Sequence, residues 1–261
     1  MPLFCLSDLH LCERGPRDNF PCNGREERFN NFLNHVESSG GKLLILGDLF
    51  DWWLANMGAS ILAYLPLLDR LDSLGASWVL GNHDNAFWSM VGSPVMIAHP
   101  MFRRSCHAFE ATIGGRKFAF LHGHETDPYC RDLNPGIGEV TAIISGILED
   151  RNKSPFDRHG HAIEDDFVGT LEKALTLWRT LTFHQSRQLE MVNGVEKYRK
   201  EKQADVVVYG HTHQPGFRGD YHFNTGCWAR QHDTFVVVND NGTASVWEWL
   251  GDQAIPYFTA L

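Results

Sequence analysis

Five short apolar runs in this chain stop on the same few polar residue types, and no other feature constrains the fold as much. Leu3 to Leu6 ends at Ser7-Asp8, and Lys42 to Leu46 ends at Gly47-Asp48. Ser77 to Leu80 ends at Gly81-Asn82-His83-Asp84, Phe118 to Leu121 at His122, and Val206 to Tyr209 at Gly210-His211. Each run is short and rich in β-branched or aromatic residues, as expected of strands buried on both faces. Segments of helical length separate the first three, namely Arg25 to Glu37 and Ile61 to Leu74. That alternation predicts βαβ units and a largely parallel sheet. In open α/β sheets the ligand crevice lies beyond the carboxyl ends of the strands. The five endings are therefore expected to converge on one place.

The rest of the chain is patterned differently. Ser105 to Ile113 and Arg116 to Leu121 flank Gly114-Gly115, and Phe235 to Val238 and Thr243 to Trp249 flank Asn241-Gly242. Both are hairpin signals, and they suggest a second, mainly antiparallel sheet in the C-terminal half. Between about residues 125 and 202 strands largely disappear. Ile137, Val140, Ile144, Ile147 and Leu148 follow helical spacing, as do Phe167, Leu171, Leu175, Trp178 and Leu181. This reads as a helical insertion within a single domain spanning 1–261.

Composition excludes several classes of function. With 32 Asp+Glu against 23 Lys+Arg the formal net charge is −9, which disfavours non-specific nucleic-acid binding and a polybasic membrane anchor. The most apolar segment, Leu43 to Leu68, is interrupted by Asp48, Asp51 and Pro66, so no run reaches the roughly 18 residues of a membrane span. The N-terminus lacks the basic start of a signal peptide. The cysteines at 5, 12, 22, 106, 130 and 227 form no C-x-x-C pair. Reduced thiols in a cytoplasmic protein are the expectation. Histidine is the surplus residue, with 14 in the chain.

The convergent residues are Asp8, His10, Asp48, Asn82, His83, His122, His211 and His213. Carboxylate, imidazole and amide oxygen together suit divalent transition ions such as Mn, Fe, Zn or Co. In D-x-H and H-x-H at a strand end, period-two alternation would send both side chains to one side. The donors are too many for one tetrahedral ion and enough for two ions sharing a bridge, with Asp48 as the natural bridging carboxylate. Two ions about 3.5–4 Å apart clamp an in-line displacement at phosphorus and lower the pKa of bound water.

Taken in order, D8-x-H10, G47-D48-x-x-D51, G81-N82-H83-D84, H122 and G210-H211-x-H213 resemble the motif series of the calcineurin-like metallophosphoesterases. The resemblance implies a four-layer α/β/β/α sandwich of two mixed β-sheets flanked by helices, with a helical cap insertion. It implies that Asp8, His10 and His213 hold one metal, that Asn82, His122 and His211 hold the other, and that Asp48 bridges. His83 becomes the catalytic histidine that binds no metal, oriented by Asp84. Within the superfamily the chain is most similar to the UDP-2,3-diacylglucosamine pyrophosphatase group, through Ser7 to Leu11, Gly47 to Trp52 and Asn224-Thr225-Gly226. One position departs: that group carries arginine after the asparagine of the third motif, where this sequence has His83. The Asp-Arg-Gly signature of Ser/Thr protein phosphatases is absent, because Trp52-Trp53 follow Asp51.

The resulting expectation is a manganese-dependent phosphodiesterase or pyrophosphohydrolase acting on a small phosphorylated substrate. A phosphomonoesterase, a nuclease, a UDP-2,3-diacylglucosamine hydrolase of lipid A synthesis and a non-catalytic scaffold are its rivals. The scaffold reading fits least, because the whole ligand series is retained. Candidate substrate contacts are Trp52, Trp53, His124, Arg131, Arg151 and Lys153, with His159 and His161 in the insertion. Core packing or a solvated surface is the simpler role for each.

Overall fold

Strand β1 (Leu3–Leu6) turns Phe4 and Leu6 to one face and Cys5 to the other, and the same alternation in its neighbours divides the molecule into layers. The computed structural model describes residues 1–15, 18–84, 87, 99–127, 130, 185–229 and 232–261. On one side of β1, strands β2 (Lys42–Leu46), β3 (Ser77–Val79) and β4 (Ser105–Cys106) follow in parallel. Strands β5 (Phe109–Ile113), β6 (Arg116–Phe120), β7 (Val206–Tyr209), β8 (Gly216–Arg218) and β9 (His222–Asn224) build a separate sheet in the order β5-β6-β7-β9-β8. Strands β10 (Thr234–Val238), β11 (Ala244–Trp249) and β12 (Ala254–Pro256) return to β1 and complete a 7-stranded sheet, β12-β11-β10-β1-β2-β3-β4.

Helices α1 (Arg25–Ser38), α2 (Met57–Ala63) and α3 (Leu65–Ser73) precede β2 and β3. Phe29, Phe32 and Leu33 of α1 and Leu68 and Leu71 of α3 cover Phe4, Leu6, Ile45 and Trp78 on the outer face of the larger sheet. The opposite faces of both sheets meet in a second core, where Cys5, Leu44, Leu46 and Val79 oppose Phe118, Phe120, Val206 and Val208. Ala119, Leu121, Val207 and Tyr209 point outward from the smaller sheet and pack on Met191 and Val195 of α4 (Gln185–Glu201). The order of layers is therefore α/β/β/α. Strands buried on both sides explain why the apolar runs are continuous instead of alternating.

Three expectations need correction. The hairpin at Asn241-Gly242 joins the larger sheet beside β1, and the smaller sheet contains parallel pairs β6-β7 and β7-β9, so both sheets are mixed. Ser105–Cys106 does not belong to the Gly114-Gly115 hairpin; it pairs with β3 before the chain crosses to the other sheet. The single helix expected over Ile61 to Leu74 is two, because Pro66 stands in the first turn of α3, where its missing N–H costs nothing. Most of the expected insertion lies outside the described residues, including both of its amphipathic stretches and Arg131, Arg151, Lys153, His159 and His161. Among the described residues no helix is long and apolar enough to cross a membrane.

Candidate metal centre

The loops after β1, β2, β3, β6 and β7 bring Asp8, His10, Asp48, Asn82, His83, His122, His211 and His213 together. Their convergence comes from the backbone, not from strand alternation as expected. Asp8, His10, Asp48, His211 and His213 have φ of 59°, 50°, 49°, 69° and 57°. Left-handed backbone is uncommon for residues other than glycine and costs about 1–2 kcal/mol each, so surrounding structure must enforce it. Hydrogen bonds that continue the β1–β2 ladder do part of this, from the Asp8, His10 and Leu11 amides to the carbonyls of Gly47, Asp48 and Leu49. Close approach does another part. A Cβ at Gly47 would collide with the His122 ring, and one at Gly81 with the backbone and carboxylate of Asp48.

Two sub-clusters share the middle. In the first, Asp8 Oδ1 is 3.0 Å from His213 Nε2 and 3.6 Å from His10 Nε2, and the two imidazole nitrogens face each other at 3.1 Å. Ser7 Oγ donates to the other oxygen of Asp8, which also accepts from the His211 amide at 3.1 Å. In the second, His122 Nε2 lies 3.1 Å from Asn82 Oδ1, and Asp48, His122 and His211 offer atoms within 4.8 Å of one another. Asp48 Oδ2 stands between them, 3.8 Å from His10 Nε2 and 3.2 Å from His122 Nε2.

Ring tautomers are set from outside. His122 Nδ1 donates to the Leu46 carbonyl at 2.7 Å, which turns the lone pair of Nε2 inward. His83 Nδ1 donates to Asp51 Oδ1 at 2.8 Å, and Asp51 Oδ2 lies 3.5 Å from His10 Nδ1. Asp51 is thus the partner of His83, not Asp84. The buried Asp84 carboxylate accepts from the amides of Gly81 at 2.9 Å and Phe50 at 3.0 Å, tying the β3 loop to the β2 loop. Burial, and then the charge of Asp48, push Asp84 up to about 7.

The tryptophans divide. Trp52 stacks on Phe50 and leans on Trp78 and Phe87 in the outer core, whereas Trp53 stacks on the His83 ring with centroids 3.9 Å apart. His124 is buried beside the second sub-cluster, its ring 5.5 Å from that of His122. Burial and the neighbouring His122 and His211 hold it well below the ordinary histidine range. Sequence reasoning assigned no role to Asp51 and overlooked Asp127, although a buried carboxylate always requires a partner. Only the G-D-x-x-D spacing signalled the former.

Electrostatics test whether cations fit here. Burial by itself would raise Asp8 and Asp48, yet the surrounding histidines hold both below the usual carboxylate range. Burial opposes charge on His122 too, but Asp48 and Asp8 outweigh it and push the ring up to about 10. Asp8 Oδ1, fully buried, is faced by the imidazole nitrogens of His213 at 3.0 Å and His10 at 3.6 Å. A centre that draws positive charge onto its imidazoles and gathers two buried carboxylates among them fits divalent ions, which replace those protons.

The family model described as calcineurin-like phosphoesterase matches residues 1–215. The chain belongs to this family. As a calcineurin-like phosphoesterase it is a metal-dependent phosphoester hydrolase, which agrees with the donor set above. It is 25% identical over 265 residues to the UDP-2,3-diacylglucosamine hydrolase of Histophilus somni (strain 2336), covering 94% of each chain. It is 22% identical to the protein of that name from Blochmanniella pennsylvanica (strain BPEN), covering 92% of this phosphoesterase and 93% of the relative. Among solved structures, Vacuolar Protein Sorting 29 from Cryptosporidium parvum aligns over 99% of this chain and 96% of its own, at 13% identity and a TM-score of 0.49.

Proposed function

We propose that this phosphoesterase hydrolyses phosphodiester or pyrophosphate bonds with two divalent ions, manganese first among them. Asp8, His10 and His213 would hold one ion and Asn82, His122 and His211 the other, with Asp48 shared. The observation that carries this reading is the placement of Asp48 Oδ2 within 4 Å of an imidazole from each sub-cluster. Bound there, the ions would supply Lewis acidity at phosphorus and a water acidic enough to attack near neutral pH.

The remaining chemistry belongs to the side chains. His83 keeps Nδ1 on Asp51, so Nε2 faces the cluster, 4.0 Å from Asp48 Oδ2. From Nε2 it would deliver a proton to the departing oxygen, and Asp51 would stabilise the imidazolium beforehand. Trp53 covers one face of the ring and limits its rotation.

Space favours an esterified phosphate over a bare one. A cavity of about 770 Å³ shares His213 with the centre and is lined further by Met191, Tyr209, Thr212, Arg218 and Tyr257. That volume accommodates an organic group on the phosphorus. The names of the relatives suggest the pyrophosphate of a nucleotide-linked, acylated sugar as the substrate to try. Turnover of an aryl phosphate diester beside its monoester, with Mn²⁺ added, is the direct test. Diester preference supports the proposal. Monoester preference reassigns the centre to phosphatase chemistry.

A further inference from the structure

Asp127 follows the short turn His124–Thr126 after β6, has no solvent exposure, and places Oδ2 2.9 Å from His211 Nε2. We infer that Asp127 is a positioning residue that fixes the tautomer of His211 and so sets the affinity of the second metal position. This rests on the function proposed above.

A carboxylate accepts and does not donate, so His211 Nε2 carries the proton and Nδ1 is the nitrogen left with a lone pair. Asp48, His122 and His211 offer ligand atoms within 4.8 Å of one another. His122 is arranged in the opposite sense, with Nδ1 donating to the neutral Leu46 carbonyl. The two imidazoles of the second position are thus held by different kinds of partner. A carboxylate partner makes its imidazole a stronger donor than a carbonyl does, and loss of such partners typically costs 10–100-fold in metal affinity or activity. Burial favours the partnership, since a carboxylate without exposure is costly unless paired. The aspartate is also anchored by its own backbone, through its amide to the His124 carbonyl at 3.1 Å and its carbonyl to the Cys130 amide at 3.1 Å. Its carboxylate therefore approaches His211 from a fixed turn.

The test is Mn²⁺ titration of full-length wild type, Asp127→Asn and Asp127→Ala, following bound metal by equilibrium dialysis and the spin-coupled signal by electron paramagnetic resonance. Asp127→Asn keeps the shape and an acceptor oxygen but loses the charge. The expected result is an affinity for the second ion about 10–100-fold weaker in Asp127→Ala and less so in Asp127→Asn, with the first ion unchanged. The coupled signal should give way to a mononuclear one at limiting Mn²⁺, and excess Mn²⁺ should restore kcat at unchanged KM. Equal weakening of both ions, or wild-type titrations accompanied only by a lower Tm, would overturn the inference. So would loss of a Zn²⁺ equivalent with Mn²⁺ binding intact, since Asp127 would then be a ligand together with Cys130 and His211. Wild-type protein that binds a single ion contradicts the proposed function instead. In that case the positioning role stands only if Asp127→Asn weakens that ion about tenfold.

Discussion

Asp8, His10 and His213 meet one another directly, with imidazole nitrogens 3.1 Å apart and every backbone φ left-handed. His122 and His211 are instead fixed from behind, one by the Leu46 carbonyl and the other by Asp127. All three residues of the first half have left-handed backbone, whereas in the second only His211 does, and both of its imidazoles are held by hydrogen bonds from outside the cluster. The first half also sees more solvent, with the His10 and His213 side chains 13% and 18% exposed against 0% and 7% for His122 and His211. Asp48 Oδ2 lies within 4 Å of an imidazole from each half, so substitutions can probe the halves separately or together.

The largest expected effect therefore comes from Asp48→Asn. It should release both ions and lower turnover by more than the about 10²–10⁴-fold that one acid–base group contributes, as metal analysis alongside kinetics would reveal. Next is His83→Ala, which should lower turnover by about 10²–10⁴-fold while both ions stay bound. Metal loss in this variant would make His83 a ligand. Ser7→Ala then separates the halves. It removes the hydroxyl that donates to Asp8, so the first ion should weaken by roughly tenfold, the scale of one charged hydrogen bond. The second ion should hold, the reverse of the Asp127 series.

The smallest effect on the centre itself is expected from a residue outside both halves. His222 is buried on β9, 3.1 Å from Glu196 of α4, and burial lowers it from the ordinary 6.5 to about 4. Between those values the unfolded chain binds more protons than the folded one, so acid favours unfolding. Stability should fall as the pH drops from about 6.5 to about 4, by at most about 3 kcal/mol. His222→Gln should flatten that part of the profile in thermal melts without altering Mn²⁺ affinity. An altered affinity would mean that the two regions are coupled.

Much of this arrangement could be read from the chain. Continuous apolar runs ending in Asp, Asn or His marked the strands and the side of the sheets where their ends gather, because burial on both faces leaves a clear pattern. Which sheet the Asn241-Gly242 hairpin joins was not legible, since a hairpin signal is local and strand order is not. The convergence of D-x-H and H-x-H was expected for the wrong reason. Left-handed φ at Asp8 and His10 is enforced by hydrogen bonds to the loop after β2, and such long-range bonds are not legible in the local sequence. Asp127 was invisible for a related reason: it lies five residues beyond His122, off the strand end, and acts through a residue distant in sequence.

The most direct measurement of the central claim is Mn²⁺ stoichiometry in metal-stripped protein, read together with turnover of a phosphate diester as each equivalent is added. Two ions per chain, with activity rising steeply only as the second binds, is the predicted result. One ion at full activity, or activity unaffected by stripping, would contradict a centre of two halves joined at Asp48.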